Sequence, residues 1–212
     1  MMHTPFGAAR SRRLAVTLAG ALALAVACSV LGLALSAAPT RADAHAWDHL
    51  MPPVGACGPA ENDANAAPIA QARAGVCVAN AVRRNYGRAR LAPKGGLHRL
   101  HLAGYFKARD VERCPNQWAH TACGRPTDYW LRRFRYHVNC TGGSWAENIY
   151  TGSGDGYNTA REAVRRWLNS DAGHRDALLS RRYTKGGIGV RRVTGTYKGH
   201  PDTQIWVQYL CN

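Results

Sequence analysis

Acidic side chains are scarce in this sequence: 13 Asp and Glu stand against 28 Lys and Arg in 212 residues, a formal charge of +15. Recognised nucleic-acid modules are lacking as well, so the charge gives no reason to expect nucleic acid as a partner. It fits an anionic lipid, a cell-envelope polymer or a protein partner, or simply an Arg-rich solvated face across groups such as "VRRNYGRAR", "LRRFR" and "LSRRY". No two cysteines have CxxC spacing, which argues against a cysteine zinc site or a thioredoxin-like redox motif. There is no HExxH, no Gly-x-Ser-x-Gly around Ser144, and no internal repeat. Nothing local marks a nucleophile.

What is present begins with a leader. "RSRR" precedes an apolar stretch from Leu14 to Ala38, followed by "PTRADAHA". A positive start, an apolar stretch and small residues suited to cleavage read as an export signal over 1–44, cut after Ala38 or Ala44. The stretch is also long enough to span a bilayer, so an uncleaved membrane anchor is the competing reading. Setting Cys28 aside with the leader leaves six cysteines, Cys57, Cys77, Cys114, Cys123, Cys140 and Cys211. An even number in an exported chain reads as disulfides. Cys114 with Cys123 would close a short loop and Cys140 with Cys211 would tie down the C-terminal strand, but the sequence does not choose the pairing.

Residues 45–67 mix Pro, Gly, Asn and Asp without a period and read as a linker, leaving 68–212 as one domain. Pro68 opens a helical pattern, and a second helix is expected from Leu97 to Arg113, stopped near Pro115. "YWLRRFRYH" is too short for its period to decide between helix and strand. Tyr157 to Asn169 carries the apolar stripe Ala160, Ala163, Val164, Trp167 and Leu168, capped by Asn158 or Thr159. "GIGVRRV" and "TQIWVQYL" read as an antiparallel pair. Helices on an antiparallel sheet make the fold class α+β, layered α-β-α.

"WAENIYTG" raises the sharpest question. Glu147 and Asn148 sit inside a mostly apolar run, and a buried carboxylate needs a partner. Taken in order, "NAVRRNYGRARLAP", His120, "SWAENIYTG", "AVRRWLNSDAGHRDALLSRRY", "GGIGV" and "IWVQYL" resemble the CAP superfamily, also called SCP: cysteine-rich secretory, antigen-5 and pathogenesis-related-1-like proteins, here in the compact bacterial form. The resemblance implies a three-layer α-β-α sandwich with a central antiparallel sheet. It implies a cleft in which His120 is the first cavity histidine, Glu147 the glutamate beside Asn148, and His174 the second histidine. Where the eukaryotic branch has a second glutamate, three residues after the helix Trp, this chain has Ser170.

Two imidazoles and a carboxylate can hold a metal with a position open for water, form a hydrogen-bonded network, or act as an acid–base pair. The three residues lie 27 and then 27 positions apart, so only the resemblance groups them. The expectation is a secreted protein, no cofactor required, binding a lipid, envelope component or protein at the cleft of His120, Glu147, His174, Ser170 and Asn148. A weakly bound divalent cation such as Zn, Mg or Ca would take His120, Glu147 and His174. A metal-assisted hydrolase or peptidase is the alternative, and a structural or inhibitory envelope protein with a vestigial cleft is the third. Whether it is an enzyme stays open. His45, His49, His98, His101, His137 and His200 lack context and read as surface or packing residues.

Overall fold

The computed structural model describes residues 45–212 apart from 93–96, 135–139 and 141–142, and only the backbone of Leu97 and His98. The leader, its cleavage points and the anchor alternative lie outside the described residues. So does His137, and so does the side chain of His98.

The strand β5 (Thr203–Cys211) organises the domain, and all nine of its residues are buried. It is central, with β1 (Trp145–Ser153) on one side and β2 (Lys185–Arg192) on the other, both antiparallel. Glu147 lies opposite Tyr209 and Gly187 faces the same tyrosine from β2. Successive side chains of β5 go to opposite faces. Trp206 enters one apolar cluster, and Ile205, Val207, Tyr209 and Cys211 enter another. Trp206 and Tyr209 are therefore core residues. Between β2 and β5 the chain adds a small hairpin, β3 (Thr196–Tyr197) with β4 (His200–Pro201).

Helices cover both faces. On one lie α1 (Pro68–Asn85), α4 (Ala160–Leu168) and α5 (His174–Leu179). On the other lie α2 (Leu97–Arg113) and the short α3 (Tyr129–Arg133), which resolves "YWLRR" as helix. The layered α+β arrangement expected from the sequence is the one observed. Helix α4 covers the apolar stripe but is shorter than the expected Tyr157 to Asn169: Tyr157 N bonds back to Gly154 O in a turn, and the Thr159 side chain caps the helix by accepting from Glu162 N at 3.3 Å. Among the described residues no helix is long and apolar enough to cross a membrane.

Two readings change. Residues 45–67 are packed on the domain instead of linking to it. Leu50 joins the α1–α4 cluster, and the buried Glu61 accepts from the N–H groups of Gly55 and Cys57 at 2.6 and 2.8 Å while pairing with Arg161 at 3.3 Å. Tight turns and side-chain bonds hold this segment, so no hydrophobic period announces it. Within "VRRNYGRAR", Arg83 is not a solvated residue. Only 1 % exposed, it donates to the carbonyls of Ala89, Leu178, Ser180 and Tyr183 at 2.6–3.0 Å, tying α1 to the loop that follows it, to the end of α5 and to the chain beyond.

Three disulfides close the domain: Cys57–Cys77, Cys114–Cys123 and Cys140–Cys211, with Cα separations of 5.7, 5.4 and 5.5 Å. The last two are the pairs the loop and strand arguments favoured.

Candidate functional site

Strand alternation answers what Glu147 faces. Along β1, Glu147 goes to the α2 side of the sheet and Asn148 to the α5 side. The Glu147 side chain is 1 % exposed, and its Oε1 accepts from His120 Nδ1 at 2.7 Å. A carboxylate oxygen only accepts, so His120 carries its proton on Nδ1.

His120 sits in the irregular turn Ala119–Gly124, where it is fixed from two directions. The Cys114–Cys123 disulfide closes the segment, and Cys123 adopts a left-handed φ of 58° within it. From below, Lys107 Nζ donates to the His120 carbonyl at 2.6 Å. Lys107 is 1 % exposed. Burial pushes its ammonium below the ordinary lysine value, while Glu147 and then Asp110 pull it back. Asp110 in turn accepts from Arg125 at 2.6 and 2.7 Å and from Trp130 Nε1 at 2.6 Å. A chain of charge thus runs from the partly exposed Arg125 through the buried Asp110 and Lys107 to the carboxylate of Glu147. Trp118, 70 % exposed, stands beside His120 with ring centroids 4.9 Å apart.

His174 opens α5 after Gly173, whose φ of 86° lets the chain turn sharply into the helix. Ser170 Oγ lies 2.8 Å from His174 Nδ1 and also accepts the Ala172 N–H at 3.2 Å. Burial lowers the His174 pKa, and the neighbouring His120 ring lowers it further. The two imidazoles lie nearly parallel, 19° apart in plane, with centroids 6.4 Å apart. They approach each other beside β1, an edge strand of the three-stranded sheet.

The structure therefore brings together His120, Glu147, His174 and Ser170. Asn148 is nearby but sealed in: its Nδ2 donates to His174 O at 3.2 Å and to Gln208 Oε1 at 2.9 Å, which makes it a brace behind α5 and not a cleft residue. Ser144 lies outside the group, its carbonyl accepting from Asn212 N, and Cys140 is tied up as a disulfide. Of the remaining histidines, His101 is buried with Nδ1 on the Ile188 carbonyl.

The metal expectation does not survive in its three-ligand form. Among the described residues no group of three or more His, Cys, Asp or Glu is placed to hold an ion. Glu147 is turned to His120 and holds that ring's Nδ1, and the Nδ1 of His174 meets the Ser170 hydroxyl. The donor set at hand does not fit a metal centre.

Lys107, Asp110, Arg125 and Trp118 escaped the sequence reading. Lys107 had a signal: it lies four residues after Ala103 and four before Val111, in one row of the buried face of α2. A lysine there must find partners.

Residues 107–210 match the model of the CAP family, described as the cysteine-rich secretory protein family. Among solved structures, it is similar to an SCP-domain extracellular protein from Bacillus anthracis at 19 % identity and a TM-score of 0.49, covering 69 % of this chain and 44 % of that one. A cysteine-rich secretory protein from Staphylococcus aureus is similar at 20 % identity and a TM-score of 0.43, with 70 % and 40 % covered. This chain thus spans less than half the length of either protein. Among curated sequences none matches it.

Proposed function

We propose that this is an exported binding protein that uses the cleft at His120 and His174 to hold a lipid, a cell-envelope component or a protein partner. The observation that carries this reading is the His120–Glu147 pair, fixed from behind by Lys107 and the Cys114–Cys123 loop, with both rings beside a sheet edge. Such a site is preorganised to recognise a polar group. Three disulfides suit an oxidising compartment, in keeping with the leader in the sequence. The test is a binding screen of the mature oxidised protein against lipid vesicles, envelope polymers and envelope proteins. A saturable ligand lost in Glu147→Gln, with the fold retained, supports the proposal. The absence of any saturable ligand defeats it.

A second reading, hydrolysis, draws on the Ser170–His174 contact. Geometry weighs against it. Ser170 engages Nδ1 of a histidine four residues away and accepts a local N–H, which is how a serine locks a loop. No described carboxylate hydrogen-bonds His174 from its other nitrogen. Turnover of a peptide or ester that disappears in both Ser170→Ala and Glu147→Gln would favour the hydrolase.

A further inference from the structure

The cleft contains two imidazoles whose Nδ1 atoms meet chemically different partners. His120 Nδ1 lies on a buried carboxylate, which only accepts. His174 Nδ1 lies on the Ser170 hydroxyl, which has one proton to give. That hydroxyl oxygen already accepts the Ala172 N–H, and no other described group stands within bonding distance to take its proton. Donating to His174 Nδ1 therefore satisfies both ends of the hydroxyl, whereas accepting from it would leave the proton without a protein partner. Neither Nε2 has a hydrogen-bond partner among the described residues, and neither is sealed from solvent.

We infer that the two rings carry opposite tautomers: His120 holds its proton on Nδ1 and leaves Nε2 bare, while His174 accepts from Ser170 on Nδ1 and carries its proton on Nε2. An imidazole above its pKa is neutral and keeps one proton on one of its two nitrogens, so a tautomer has to be chosen. The cleft then offers one acceptor and one donor on near-parallel rings. It suits a neutral group that donates to His120 and accepts from His174, a hydroxyl or a carboxamide, and it suits a cation poorly. A metal needs a lone pair from each ring, and His174 could supply one at Nε2 only by moving its proton to Nδ1 and reversing the Ser170 bond. A carboxylate in place of Ser170 would impose the other tautomer. The tautomer set by Ser170 therefore works against a cation at the two rings.

The ligand class rests on the cleft-binding proposal, but the tautomers do not, so the decisive measurement involves no ligand. Nitrogen-15 histidine NMR of the mature oxidised protein at about pH 7.5, well above the ordinary histidine value, should show His120 protonated at Nδ1 and His174 at Nε2. A His174 proton found on Nδ1 overturns the inference while leaving the binding proposal standing. In Ser170→Glu the His174 proton should move to Nδ1, and zinc affinity measured by calorimetry should rise about tenfold or more, the usual weight of an outer-shell partner. Equal zinc affinity in wild type and folded S170E removes the argument about metal. Should S170E not fold, Ser170→Ala serves: its His174 should show mixed tautomers, and an unchanged Nε2–H signal would mean that Ser170 does not set the proton.

Discussion

On one face of the sheet α1 stands off β2 on side chains, and on the other α2 lies directly against its backbone. A methyl group added at Gly75 of α1 would meet side chains alone, the tightest being the tip of Ile188, Cδ1 at 3.0 Å. One added at Gly189 of β2 would fall 1.9 Å from Tyr105 N and 2.2 Å from the Gly104 carbonyl carbon. Both faces bury charge, but to different ends: on the α2 side Lys107, Asp110 and Glu147 lead to the His120 ring, whereas on the α1 side Arg83, Glu61 and Glu162 fasten backbone and neighbouring arginines away from it. The difference teaches where the cleft gets its precision. Pressing α2 onto β2 brings Lys107 under the His120 carbonyl and beside Glu147, so the ring is set by a helix that cannot shift without colliding with the sheet.

The largest test of this contrast is steric. Gly189→Ala should cost more than about 3 kcal/mol in denaturant unfolding, because backbone must move, while Gly75→Ala should stay within about 1 kcal/mol since only a flexible methyl yields and a helix gains from Ala. Equal losses at the two positions would end the comparison. Next comes charge: Lys107→Met should cost about 2 kcal/mol by removing a charge-assisted hydrogen bond from a buried site, and it should shift the His120 ring signals in NMR. Unmoved His120 signals would mean that α2 packs without positioning the site. On the opposite face, Thr159→Ala should cost about 1 kcal/mol from a lost helix cap and leave the His120 signals alone.

The smallest expected effect is the pH dependence of His174. Its folded pKa lies below the unfolded value of about 6.5. The unfolded chain therefore binds more protons in that range, and the stability His174 contributes is complete above about pH 6.5 and lost as pH falls through the lowered folded value. His174→Gln should flatten that part of the stability profile between about pH 7 and 5. A profile unchanged in shape would show that the ring titrates as freely as in the unfolded chain.

Much of this was legible from local chemistry. Pro68 at the first turn, the stripe ending at Leu168 and the Thr159 cap act within a few residues of themselves, so spacing alone reveals them. The segment 45–67 was not legible, because Glu61 holds it through backbone N–H groups and an ion pair with Arg161, which leave no period. Glu147 announced itself by being an acid among apolar residues. Its neighbour Asn148 carried the same signal and turned out to be a brace, because one step along a strand reverses the face.

By itself the amino-acid order determined the helices, the strand pair, the even cysteine set and the family resemblance, since each depends on short-range periodicity or on residue type. Only the tertiary structure decided that Cys57 joins Cys77, that Arg83 is a core staple, that Lys107 stands under His120, and that His174 answers to a hydroxyl and not to an acid. Those contacts join positions far apart in the chain or depend on how a loop closes. Packing distances between layers fix them, and no local pattern encodes such a distance.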